Sequence, residues 1–210
     1  ELATSSFGQT FTVSMAQMAA GYSSLVNGGN YYKPHIVKQI LNDDGAVIKE
    51  IESEILKKTV SKKTSDFIQK SMYLTVEEGT AKKASVPGYT VAGKTGTAQK
   101  QPRSARTYVV SFLGHVPADD PEVVILVVID EAQNVATQAN SAFATELASA
   151  ILKDVLPFLG VYSSEEVVDE DDSSQETTEE DDIFSPDAIP DSMDEEETYE
   201  ANIEDALEDN

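Results

Sequence analysis

The chain has 210 residues, no cysteine, two histidines and a formal charge of −23. Lack of cysteine excludes disulfides, zinc–thiolate sites and thiol nucleophiles, and no apolar run approaches the ~18 residues a membrane-spanning helix requires. The charge is uneven: residues 163–210 hold 22 of the 38 acidic residues and no basic one, leaving 16 acidic against 15 basic residues in 1–162. Such a chain has no cluster of Lys and Arg to meet a phosphate backbone, so nucleic acid is not an expected partner. The sequence starts at Glu1 rather than Met and carries no basic-then-apolar leader, as expected of a piece of a longer protein.

In chain order, SMAQMAAGYSSLVN (14–27) predicts an amphipathic helix. Ser14 and Gln17 form its capping box, Met15, Met18, Tyr22, Leu25 and Val26 share a side, and Gly28-Gly29 stops it. YYKPHIVKQIL and AVIKEIE around NDDG predict a β-hairpin with Pro34 near one end. Residues 61–78 predict a second helix, opened by Ser61 and closed by Gly79, with Phe67, Ile68, Met72 and Leu74 as core contacts. Three strands follow in YTVAGKTGTAQ, RTYVVSFLGHV and EVVILVVID. Their short connections suit antiparallel neighbours, because a parallel crossover takes a dozen or more residues. The last helix is expected over Ser141 to Leu156, with Phe143, Leu147 and Ile151 stacked and Pro157 and Gly160 ending it. The fold class is α+β, an antiparallel sheet flanked by helices, over residues 1–162. Residues 163–210 read as a disordered acidic tail, in which Tyr199, Ile203 and Leu207 fall at helical spacing.

GYTVAGKT (Gly88 to Thr95) satisfies the pattern of a phosphate-binding loop. Its context does not. TAKKASVP before it cannot form a buried entering strand, and TGTAQKQPR after Lys94 has glycine and proline where a helix should run. Tyr89, Thr90 and Val91 favour extended backbone, so the segment is expected to be a strand. His35 and His115 lack acidic or serine partners at recognisable spacing, Glu77-Glu78 marks a helix end, and Asp119-Asp120-Pro121 is a turn. No metal or cofactor is expected.

Read as a strand, the same stretch holds K-T-G-T-A, Lys94 to Ala98, which resembles the third active-site motif of the penicillin-recognising serine acyl-enzymes. LATSSFGQTFTVSMAQMAAGYSSLVNGGNYYKPHIV, VEEGTAKKA, VAGKTGTAQ and TYVVSFLGHVPADDPEVVILVVIDEA resemble the C-terminal part of the transpeptidase domain in class B penicillin-binding proteins, closest to division- or sporulation-type members. The resemblance covers residues 2 to about 160. It implies part of the penicillin-binding, serine β-lactamase-like fold and a D,D-transpeptidase parent that cross-links peptidoglycan stem peptides and is acylated by β-lactams. It places that parent on the outer face of the cytoplasmic membrane, beside cell-division proteins. By the same resemblance Lys94 assists proton transfer at the nucleophile. Thr95 and Thr97 bind the substrate carboxylate through their hydroxyls, Gly96 allows close approach, and the Thr97 N–H serves the oxyanion hole.

Two motifs of that family are missing. S-x-x-K occurs nowhere in the 210 residues; the nearest sequences are SEILK at Ser53, one residue too long, and TVSK at Thr59. S-x-N is absent as well. Both lie upstream in the family, so the resemblance implies a C-terminal fragment that is inactive alone and lacks two strands beside VVILVVID. Whether this chain by itself is an enzyme stays open at the level of sequence. The alternative is a non-catalytic module that uses the same half-fold to bind a partner, and an upstream reading frame through S-x-N and S-x-x-K separates the two.

Overall fold

The computed structural model describes Ser5, Gly8 and residues 12–163; the acidic segment and its helical spacing lie outside the described residues. Helix α1 spans Met15–Val26. Its capping box is present: the Gln17 N–H donates to Ser14 Oγ at 3.2 Å and the Ser14 N–H donates to Gln17 Oε1 at 3.0 Å. Gly28 and Gly29 follow with φ of 79° and 93°, a region that favours glycine. A Cβ on Gly29 would land on the carbonyl oxygen of Val60, so the chain crossing here depends on the missing side chain.

The next segment departs from a single hairpin. Strands β2 (Gln39–Leu41) and β3 (Val47–Glu50) do pair antiparallel around the Asp-Gly turn. The preceding β1 (Asn30–Tyr32) instead pairs with β4 (Ile55–Lys58), a strand not anticipated in EILKK. Pro34 explains the break, since it lacks the N–H that a continuous ladder would use.

Helix α2 (Lys62–Glu77) opens on Ser61, whose Oγ accepts from the Thr64 N–H at 3.1 Å. Its inward stripe is Ser65, Gln69, Met72 and Val76, while Phe67 and Leu74 are exposed rather than core. The inward polar groups have assigned work. Gln69 Nε2 donates to the Val26 carbonyl at 2.7 Å, and Ser65 Oγ accepts from the Gly28 N–H at 2.9 Å, so α2 satisfies the free end of α1.

Strands β5 (Ala92–Gln99), β6 (Tyr108–Val116) and β7 (Val123–Asp130) form an antiparallel sheet in the order β5-β6-β7. Helix α3 (Ala142–Leu159) covers one face, packing Ala144, Ala148, Leu152 and Leu156 against Phe112, Val116 and Val127. Here the expectation fails in detail. The helix runs through Pro157, and Leu147 and Ile151 face outward because the alanine stripe one residue along lets α3 approach the sheet closely. Gly160, at φ 77°, ends the helix, its N–H donating to the Leu156 and Pro157 carbonyls. The opposite face meets α1 through Tyr22 and His115. These elements match the α+β class, with helices on an antiparallel sheet.

Candidate active-site strand

Strand β5 carries the K-T-G residues at a sheet edge. Lys94 sits opposite Leu113 and Gly96 opposite Ser111, on the face toward α1; Thr95 sits opposite Phe112 and Thr97 opposite Val110, on the face toward α3. The ladder continues with the Lys100 N–H donating to the Thr107 carbonyl at 2.9 Å. In an antiparallel pair both main-chain groups of a residue point the same way, and the direction alternates. Even-numbered residues of β5 therefore bond β6, and Thr95 and Thr97 turn their N–H and C=O groups to the free edge. The Thr95 carbonyl is met there by Lys94 Nζ at 3.1 Å. This straight backbone also disposes of the phosphate-loop pattern, because Lys94 lies mid-strand instead of entering a helix.

The Lys94 ammonium is also 3.4 Å from Thr95 Oγ1, and Thr95 Oγ1 is 3.1 Å from Thr80 Oγ1. Beside these groups lies an open recess of about 410 Å³ lined by Ser71, Leu74, Thr75, Glu78, Gly79, Thr80 and Lys94. Thr97 is exposed. A Cβ on Gly96 would come 2.5 Å from Ser111 Oγ, the movable end of a side chain, whereas Cβ atoms on Gly93 and Gly114 would strike the Phe112 ring at 2.5 and 2.6 Å. Those two glycines make room for Phe112, the largest buried side chain under the K-T-G residues.

Behind the strand, His115 is fully buried. Its Nε2 faces the Ala118 carbonyl at 3.0 Å, an acceptor, so Nε2 bears the proton and Nδ1 accepts from the Tyr22 hydroxyl at 2.7 Å. Burial lowers its pKa to about 4, against the smaller opposing pull of the Ala118 carbonyl, and burial also pushes the Tyr22 hydroxyl well up. His115 is thus a neutral structural tie between α1 and the sheet. His35 is exposed, its Nδ1 3.3 Å from the Lys33 carbonyl.

At the far end of β5, Lys100 Nζ reaches Glu131 Oε1 at 2.7 Å and Asp130 at 2.9 Å. The hydrogen bond to Glu131, then that to Asp130, raises the lysine above its ordinary pKa. This tripod ties the β5–β6 connection to the end of β7. Sequence reasoning singled out neither Lys100 nor Thr80, since both partnerships join residues far apart in the chain.

Residues 1–153 match the family described as the penicillin binding protein transpeptidase domain. Stage V sporulation protein D of Bacillus subtilis is 39% identical over 165 residues, covering 77% of this chain and 25% of that protein. Penicillin-binding protein PbpB of Mycolicibacterium smegmatis is 33% identical, covering 67% of this chain and 23% of that protein. The chain thus spans about a quarter of the length of these curated relatives. Among solved structures, the D,D-transpeptidase domain of a peptidoglycan glycosyltransferase from Eggerthella lenta matches at 30% identity and TM-score 0.59, over 69% of this chain and 32% of that one. The transpeptidase domain of Burkholderia pseudomallei penicillin-binding protein 3 matches at 28% identity and TM-score 0.62, over 78% and 48%. With the K-T-G residues on an edge strand and the match covering most of the sequence, the chain belongs to the penicillin-binding protein transpeptidase domain family.

Proposed function

We propose that residues 1–162 are the C-terminal portion of a serine D,D-transpeptidase domain and supply one wall of its active site, the β5 edge. The observation that carries this reading is the joint exposure, on that free edge, of the Lys94 ammonium, the Thr97 hydroxyl and the outward N–H groups of Thr95 and Thr97. A peptide lying along β5 meets hydroxyl and amide donors suited to its terminal carboxylate and to the oxyanion that forms on its carbonyl. A correctly placed oxyanion donor is commonly worth about 3 kcal/mol. The edge-facing N–H of Thr97 is the candidate for that role, and Thr95, Gly96 and Thr97 are the substrate-binding residues. Lys94 supplies a positive charge that favours the ionised states of a nearby serine and helps move its proton.

The substrates are peptidoglycan stem peptides, with β-lactams as mimics of the donor. Penicillin-binding protein 3 of Mycobacterium tuberculosis, a structural relative at 27% identity, was solved with ampicillin and with aztreonam. The site of action is the outer side of the bacterial cytoplasmic membrane, with cell-division proteins as partners of the parent. No helix among the described residues is long and apolar enough to cross a membrane.

The chain contains no S-x-x-K and no S-x-N, and therefore no serine that penicillin can acylate in the family's manner. Incubation with a fluorescent penicillin is expected to leave the purified chain unlabelled on a denaturing gel. A covalent band that unlabelled penicillin competes away would overturn the assignment of an incomplete site.

A further inference from the structure

The hydroxyl of Thr80 lies 3.1 Å from that of Thr95, although Thr80 follows helix α2 and Thr95 lies within β5. Strand alternation puts Lys94 on the other face, yet its long side chain folds around the free edge to reach both the carbonyl and the hydroxyl of Thr95. An ammonium only donates, whereas a hydroxyl donates once and accepts twice. Lys94 therefore donates to Thr95 Oγ1, and the Thr80 and Thr95 hydroxyls share one hydrogen bond in which either oxygen can donate, beside the recess between α2 and β5.

We propose that Thr80 is a positioning residue of the K-T-G strand, whose hydroxyl holds Thr95 in the rotamer that keeps the Lys94 ammonium at the substrate edge. The proposal rests on the reading of Lys94 and Thr95 as substrate-facing groups and assigns their alignment to a residue 14 and 15 positions upstream. Thr95 is β-branched, so its χ1 falls into discrete wells, and a single partner at hydrogen-bond distance is enough to select among them. Lys94 has four rotatable bonds and no carboxylate partner among the ion pairs of the described residues. Its position is set by the two Thr95 oxygens, and the Thr95 hydroxyl is in turn set by Thr80. Thr80 is exposed, so replacing its hydroxyl by a methyl leaves no buried hole.

The test is NMR on the full 210-residue chain, comparing wild type with Thr80→Val and Thr80→Ser. Three-bond couplings to the Thr95 methyl carbon report its χ1, and the Lys94 Cε and Nζ shifts report its ammonium environment. Thr80→Val is expected to lower the ratio of the selected Thr95 rotamer to the others by roughly fivefold, the amount one ordinary net hydrogen bond supports. The Lys94 signals should move toward those of the other exposed lysines. Thr80→Ser, which keeps the hydroxyl, should restore both, with β5–β6 amide shifts unchanged in all three proteins. Wild-type Thr95 couplings and Lys94 shifts in Thr80→Val would overturn the proposal whatever the strand binds. Penicillin labelling of this chain would instead overturn the assignment of an incomplete site and leave the Thr80–Thr95 coupling standing.

Discussion

At the scale of single residues, the Tyr22–His115 contact ties α1 to the sheet and makes stability depend on pH. In the unfolded chain His115 takes a proton near its ordinary 6.5, whereas burial in the fold holds it neutral down to about 4. The unfolded state therefore binds more protons between those values. This contribution is complete above pH 6.5 and is lost as pH falls toward 4. At about 1.4 kcal/mol per pH unit the loss across the window is roughly 3 kcal/mol. His115→Gln keeps a donor and an acceptor but does not titrate. Urea unfolding at pH 7 and pH 4.5 should show wild type losing clearly more stability than the variant, and equal losses would show that the buried imidazole is not the titrating group. The sequence gives a weak hint of such a role, a lone histidine between Gly114 and Val116 in an apolar strand. Its partner 93 residues away has no sequence signal at all.

At the scale of elements, the β5–β6 connection is fixed by charge where it cannot be fixed by packing. Residues 101–106 are all exposed, and Arg106 and Glu131 both adopt positive φ, near 52° and 51°. Lys100 holds this region by bonding Asp130 and Glu131 across the sheet end. Lys100→Met keeps the aliphatic stem and removes the ammonium. Amide hydrogen exchange over 103–107 is expected to accelerate measurably, with Ala98 and Val109 unaffected. Unchanged exchange in the connection would refute the pinning role. Other elements show what sequence can and cannot specify. Caps at Ser14 and Ser61 and the three long strands were readable because their signals are local. The inward face of α3 was not, because the Phe143, Leu147 and Ile151 stripe and the Ala144, Ala148 and Leu152 stripe are both apolar with helical spacing. Only the sheet, by admitting the smaller residues, decides between them. The α2 stripe misled for the opposite reason, since Ser65 and Gln69 face inward as partners for α1. The K-T-G strand could be placed from sequence, but the Thr80 contact beside it arises only when α2 folds against β5.

At the scale of the whole molecule, the sheet leaves β7 with a neighbour on one side only among the described residues. The Glu131 N–H donates to the Tyr108 carbonyl, so odd-numbered residues of β7 bond β6 and Val124, Leu126 and Val128 turn their main-chain groups outward. An eight-residue apolar strand with a row of free donors and acceptors is a template for pairing with another chain. Leu147, Ile151 and Phe158 on α3, all at least 39% exposed, add apolar surface that polar solvent does not favour. These features together predict that the chain self-associates in a concentration-dependent way. High salt, by screening the net charge of −23, should strengthen rather than weaken the association. Val128→Lys places a charge on the outward-bonding row without touching the α3 core, because Val128 is already 39% exposed and lies on the other face. In sedimentation velocity at 0.5 M salt the wild-type chain is expected to show oligomers at about tens of micromolar, a range in which weak specific contacts operate. The Val128→Lys variant should shift toward monomer with an unchanged circular dichroism spectrum. A monodisperse wild-type monomer under these conditions would mean that the β7 edge is already protected, and the strand-pairing argument would fail.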